Sequence, residues 1–286
     1  MKELLDAFWR AAAYCLHPRV IALSLLPLVL MVTAALGLGY LFWDAALDSV
    51  NQTLDSWDLL TAFFQWLERF GLAGLKAALA PLIVVFLATP VIVIVALLVV
   101  SVLMTPAMLS LVAERRFPQL ERRRGGSLWT GALGAFVATL VALLALVVSV
   151  PFWLIPPLAL VLPPLIWGWL TYRVLSYDVL AEHASREERL AIVRERRWSL
   201  LGMGVLAGFL GAAPGIVWAS GVMFVALAPV LVPVAIWIYT LIFAFASLWF
   251  AHYCLAALQV RRAADAPLPV NPPLPAVPDA ALLPPP

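Results

Sequence analysis

The chain has 286 residues, of which 64% are hydrophobic and only 12% charged, half the roughly 25% charge of soluble domains; this excludes a soluble globular protein. A net charge of +2 is too small to argue for nucleic acid, and a mean hydropathy of +1.01 makes the lipid bilayer the solvent to reason with.

At the N-terminus Glu3, Asp6 and Arg10 interrupt what would otherwise resemble a cleavable signal. Residues 1–19 place Leu4, Leu5, Phe8, Ala12 and Cys15 at helical spacing, which predicts an amphipathic helix on the membrane interface, ended by Pro18. Residues 20–43 carry no charge, and about 24 residues at ~1.5 Å each cross a ~30 Å core with some tilt. Pro27 predicts a kink, with Tyr40 and Trp43 as the far anchor.

Residues 44–76 are acidic, with Asp44, Asp48, Asp55, Asp58 and Glu68 against Arg69 and Lys76. Trp57, Leu60, Phe64 and Leu67 form one apolar stripe, the pattern of a second interfacial helix. Asp55 and Asp58 read as a solvated face rather than a cation or acid/base pair. Residues 77–113 are uncharged and punctuated by Pro81, Pro90 and Pro106, which predicts one long tilted helix, broken near its ends. Then come Arg115, Arg116, Arg122, Arg123 and Arg124 against Glu114 and Glu121. By the positive-inside rule this cluster is cytoplasmic, so the N-terminus is inside too and the acidic loop outside.

Residues 125–172 and 199–260 are again uncharged, and each ends on the side where it began. Each is a hairpin. In the first, Pro156, Pro157, Pro163 and Pro164 predict that a regular helix on the returning limb starts no earlier than Leu165. In the second, residues 200–213 reach only ~21 Å before Pro214 and Gly215. Partial insertion and full crossing both stay open. Gly204 and Gly208 make a small-xxx-small face for helix packing rather than a phosphate loop, and residues 235–257 form a complete limb with His252 hydrogen-bonded at the interface.

Between the hairpins, residues 176–198 read as one charged cytoplasmic helix with Leu180, Ile192 and Trp198 resting on the membrane. Six arginines from Arg173 to Arg197 nearly cancel five acids from Asp178 to Glu195. Arg261 and Arg262 close a membrane domain of residues 1–262, and residues 263–286 form a proline-rich tail expected to be disordered or polyproline II. The two cysteines, Cys15 and Cys254, form no C-x-x-C and fall on the cytoplasmic side, where thiols stay reduced.

The reading is therefore an all-α integral membrane protein with two full transmembrane helices, two proline-broken helical hairpins and both termini cytoplasmic. His17, His183 and His252 are the only histidines, and no metallohydrolase, nucleophile-elbow or deaminase pattern surrounds them. No catalytic site, metal or cofactor is expected. With no ionisable residue inside the long apolar runs, an ion-coupled pump is disfavoured. Backbone amides, helix ends and rim arginines are chemistry suited to an anion.

Three stretches carry a family likeness: HPRVIALSLLPL at residues 17–28, TPAMLSLVAE at residues 105–114, and the series Pro164, Tyr177, Asp178, the 185–197 helix, Gly204 and Pro214. On these the chain resembles the CysZ-type sulfate permease family, which includes the etoposide-induced-protein membrane domains, across residues 1–258. The resemblance implies helix pairs inserted part way, a homo-oligomer, a multi-pass place in a bacterial-type inner membrane, and an inorganic anion such as sulfate as the partner. Sulfate-handling members carry adjacent arginines where this chain has Ile21 and Ala22, and Arg19 replaces a glycine. The implied substrate site is then Pro18, Arg19 and Val20, with Arg19 the nearest charge and Arg115 and Arg116 a cytoplasmic rim. A membrane scaffold or assembly factor that keeps the fold but not the site is the competing reading.

Overall fold

Backbone in hydrocarbon must satisfy its own hydrogen bonds, which a helix does without help from neighbours. The computed structural model describes residues 2–58, 61–62, 66, 69, 74–123, 125–212 and 222–265, and every regular element among them is helical. Four helices contain stretches long and apolar enough to cross a membrane, at Pro18–Ser56, Trp129–Leu154, Pro156–His183 and Leu231–Asp265. Their outward faces are apolar, with Val29, Val32, Leu36, Leu140, Leu144 and Val147 exposed, as lipid-facing surfaces require.

Helix α1 (Lys2–Cys15) is amphipathic, but its face is divided differently from the expected one. Ala7 and Ala11 are buried, Leu4 and Phe8 pack on the core, and Leu5 and Trp9 point outward. Phe8 stands edge-on to Phe245 and Trp249, with centroids 5.2 Å from each, and Trp249 Nε1 donates to the Leu4 carbonyl at 3.2 Å. The helix is docked on protein along one face, and only the other is free to meet the interface.

Helix α2 (Pro18–Ser56, 39 residues) does not stop where charge begins. It continues past Trp43 through Asp44 and Asp48 to Ser56, some 58 Å at ~1.5 Å per residue, beyond any hydrocarbon core. Leaving lipid ends the ban on charge without ending the helix. It also runs through the buried Pro27. Trp57, with extended φ −101° and ψ 103°, breaks it and is exposed; Leu60, Phe64 and Leu67 of the predicted stripe lie outside the described residues. Helix α3 (Gly74–Arg116, 43 residues) is single and long as expected, but it runs through Pro81, Pro90 and Pro106 without the breaks expected near its ends, and Arg115 and Arg116 sit in its last turn, where cations offset the helix dipole.

Helix α4 (Leu128–Ser149) passes through a 3-10 turn (Val150–Leu154) into α5 (Pro156–His183). The proline expectation fails here, because α5 starts nine residues before Leu165. Pro156 and Pro157 occupy the first turn, whose N–H groups have no helical partner in any case, and the helix runs on through Pro163 and the buried Pro164.

The 176–198 segment is not one helix. Helix α5 ends at His183, Ala184 is extended, α6 covers Arg186–Glu195, and Arg196 separates it from α7 (Arg197–Ala212). The cause is local: Ser185 caps α6, its hydroxyl accepting from the Glu188 N–H at 3.1 Å while Glu188 accepts from the Ser185 N–H at 2.7 Å, a reciprocal capping box. Leu180 and Ile192, expected on the membrane, are 0% and 2% exposed in the protein core; Trp198 alone faces out.

Helix α7 packs on α5 through glycine. A Cβ on Gly204 would fall on the Gly168 carbonyl oxygen and one on Gly208 on that of Pro164, so the backbones touch. At 16 residues, ~24 Å, α7 is shorter than a bilayer core. Helix α8 (Val222–Asp265) is the hub, packing on α1, α2, α3, α5, α6 and α7 with Leu248, Trp249, Phe250, Leu255 and Leu258 fully buried. It continues three residues past Arg262, the expected boundary. Residues 266–286 of the predicted tail, like Arg124, Pro214 and Gly215, lie outside the described residues.

Candidate functional site: the polar end of the bundle

Charge excluded from the apolar runs collects where the helices end, and ion pairs there join elements far apart in sequence. Glu188 of α6 is the centre. It takes a bidentate pair from Arg262, Nε to Oε1 and Nη2 to Oε2 at 3.0 Å each, and a further bond from Arg123 at 2.9 Å. Bonding to Arg262 holds its carboxyl at about 2, against an ordinary 4.5. Arg262 also donates to the carbonyls of His183 at 2.7 Å and Glu121 at 2.9 Å, closing the ends of α5 and of the α3–α4 loop. Arg189 stacks on the Tyr177 ring at 4.4 Å and donates to the Gly125 carbonyl at 3.3 Å.

Two smaller clusters fasten α1. Asp6 accepts from Arg10 at 2.8 Å and from Arg116 at 3.2 Å, and these guanidiniums, Arg10 first, lower its pKa. Arg196 donates to the Tyr253 hydroxyl at 3.4 Å and to Glu3, and these bonds, Tyr253 first, raise its pKa. Arg261 holds Glu195 at 2.7 Å. These pairs put the N-terminus, the 115–123 arginines, the 182–197 segment and Arg261–Arg262 at one end of the bundle. Both cysteines are free, and burial pushes the Cys15 thiol up to about 11.

The expected substrate residues lie at the start of α2. Val20 is fully buried there, while Pro18 and Arg19 are exposed. Pro18 has no N–H, the Arg19 N–H donates to His17 Nδ1 at 3.2 Å, and those of Val20 and Ile21 donate to the His17 carbonyl at 2.9 and 3.1 Å. The helix start thus keeps its first amides for itself and presents the Arg19 side chain, which has no ion pair among the described residues. Arg115 is exposed, and Arg116 is half-buried with Asp6 and over the Phe117 ring at 5.5 Å. Arg19 shares no partner with either.

With this arrangement established, the chain matches the family described as sulfate transporter CysZ/etoposide-induced protein 2.4 over residues 7–220. It belongs to that family. No curated protein and no solved structure matches it. The matched region of this CysZ/etoposide-induced-protein member takes in most of α1 and all of α2 to α7, and stops before the hub helix α8.

Several residues that matter in this family member escaped sequence reasoning. Arg262 read as a boundary marker and is the keystone of the Glu188 network. Ser185 and Glu188 stand in an S-x-x-E pattern that was there to be read. Asp6 and Arg10 are four apart, a legible helical pair, but no pattern announces Arg116 as their third member. His252, expected at the interface with hydrogen bonds, is 1% exposed and neither ring nitrogen has a partner. Among the described residues no group of three His, Cys, Asp or Glu is placed to hold a metal ion.

Proposed function

We propose that this protein is a multi-pass inner-membrane transporter or channel for a sulfate-like oxyanion, without recognisable coupling to an ATPase. The observation that carries the reading is membership of the sulfate transporter family over residues 7–220. Arg19 is the substrate-proximal charge: exposed, without an ion pair among the described residues, and set by Pro18 and the buried Val20 at the head of α2. Arg115 and Arg116 form the rim of the cytoplasmic mouth. The gathering of arginines at one end supports that end, with both termini, as the cytoplasmic one.

Partial insertion of the α4–α5 hairpin is supported by its tip. Residues 150–158, VPFWLIPPL, contain no charged side chain, the Trp153 indole N–H donates to the Ser149 hydroxyl at 3.1 Å, and Phe152, Trp153, Leu154 and Ile155 are all exposed, a surface that suits lipid better than water. The short α7 agrees. The outward apolar faces leave room for the homo-oligomer that the family resemblance implies.

Sulfate flux into proteoliposomes tests the function. Radiolabelled sulfate is expected to enter with wild type and at least tenfold more slowly with Arg19→Ala. Absence of flux for sulfate and related oxyanions overturns transport, and unchanged flux in the variant removes Arg19 from the site. The second reading, a membrane scaffold retaining the fold, is favoured by Ile21 and Ala22 standing where sulfate-handling members have arginines, and by the α2 amides being taken up by His17.

A further inference from the structure

A buried imidazole normally hydrogen-bonds through at least one nitrogen, and leaving both unpaired is costly. His252 of α8 is 1% exposed with Nδ1 and Nε2 both unpartnered. It rests edge-on against Tyr14 of α1, with centroids 4.9 Å apart. The charged groups near its ring are Arg116 of α3 and Arg10 and Asp6 of α1. Arg116 has its own orphan: Nη2 holds Asp6, while Nη1 is buried without a partner. Two orphaned polar groups thus come from α3 and α8, each beside a residue of α1, Asp6 for Arg116 and Tyr14 for His252.

The charge around them is one-sided. Asp6 is a single carboxylate shared by two guanidiniums, Arg10 and Arg116, so the cluster carries a surplus positive charge that repels cations. Arg116 also lines a cavity of about 100 Å³ with Phe117, Gln119 and Gln259. Gln259 follows His252 by seven residues on α8, two turns along the same face. Arg116 thus lines the cavity and is also among the charged groups near the buried imidazole.

We propose that His252 and Arg116 form an inner binding site for a small inorganic oxyanion, reached from the cavity beside Gln259. An imidazole N–H and the free Nη1 donate to the anion's oxygens, and the surplus guanidinium charge offsets its own. The site is separate from the exposed Arg19 at the head of α2. Its ligand class rests on the anion-transport reading above.

The test uses the full chain in nanodiscs with 15N-labelled histidine, where the ring signals of His252 are those lost in His252→Phe. Sodium sulfate is expected to move them saturably, and sodium gluconate at equal ionic strength to leave them in place. Apparent affinity falls at least tenfold in Arg116→Gln and several-fold in Arg116→Lys, which keeps the charge but loses the fork; it stays within twofold in the exposed-charge control Arg194→Gln. No saturable shift in wild type overturns the site whatever the variants do, as does an equal response to gluconate or undiminished affinity in Arg116→Gln. Sulfate flux on the same preparation separates the two readings. Flux beside an unresponsive His252 overturns the inner site and leaves transport standing, whereas a responsive His252 without flux supports the site and removes transport.

Discussion

Gly208 lacks a side chain where the Pro164 carbonyl oxygen occupies the place of a Cβ, and Gly204 meets the Gly168 carbonyl in the same way. Gly202, two residues before Gly204 and so on the opposite face of α7, has nothing within 4 Å of that position. Gly208→Ala is therefore expected to force α5 and α7 apart at a cost of about 1–3 kcal/mol, read as a lower melting temperature in detergent. Gly202→Ala should be neutral or gain up to about 1 kcal/mol from helix propensity. Equal effects at the two sites would show that close helix contact is not what requires the glycine. Glu188 supplies the pH dependence. Its folded pKa, about 2, lies below the ordinary 4.5, so its stabilisation is fully present above pH 4.5 and is lost as pH falls towards 2. The side chain is 11% exposed, and the shift corresponds to about 3 kcal/mol. Arg262→Gln should lower stability at neutral pH and flatten the melting curve between pH 4.5 and 2; an unaltered acid slope would assign that slope to other groups.

The elements show where periodicity and composition stop being guides. Charge density made residues 176–198 look like one unit, yet the two bonds between Ser185 and Glu188 start a new helix inside it. Ser185→Ala is expected to cost about 1 kcal/mol and to speed hydrogen exchange at the first amides of α6, with Ser185→Asp restoring both. Unchanged exchange in the alanine variant would mean that the arginine contacts to Glu188 and Glu195, not the cap, hold α6 in place. Prolines misled in the opposite sense. At the head of α5 they fall in a first turn whose N–H groups have no helical partner, and the helix runs on through Pro163 and Pro164 as well. Likewise the carboxylates at Asp44 and Asp48 mark a change of composition along α2, while the helix itself runs to Ser56.

At the scale of the molecule, α8 gathers six other helices around it, and the α4–α5 hairpin turns on an apolar tip. If that tip stays in lipid, Ile155→Cys in a background lacking Cys15 and Cys254 will resist membrane-impermeant maleimide added from the outside. Labelling there would establish a full crossing. The sequence by itself determined the class of protein, the apolar runs and the confinement of the arginines to the segments between and beyond them, because hydrocarbon rejects charge whatever the neighbours. The family likeness was legible for the same reason, in local steps such as those at residues 17–28 and 105–114 that need no distant partner. Only the tertiary structure decided that Arg262 closes on Glu188, that Arg116 joins Asp6, that Leu180 and Ile192 face protein instead of membrane, and that His252 is buried unpaired. Such pairings depend on which helix ends meet in space, and residues up to 193 positions apart, such as Glu3 and Arg196, leave no local pattern from which that meeting can be read.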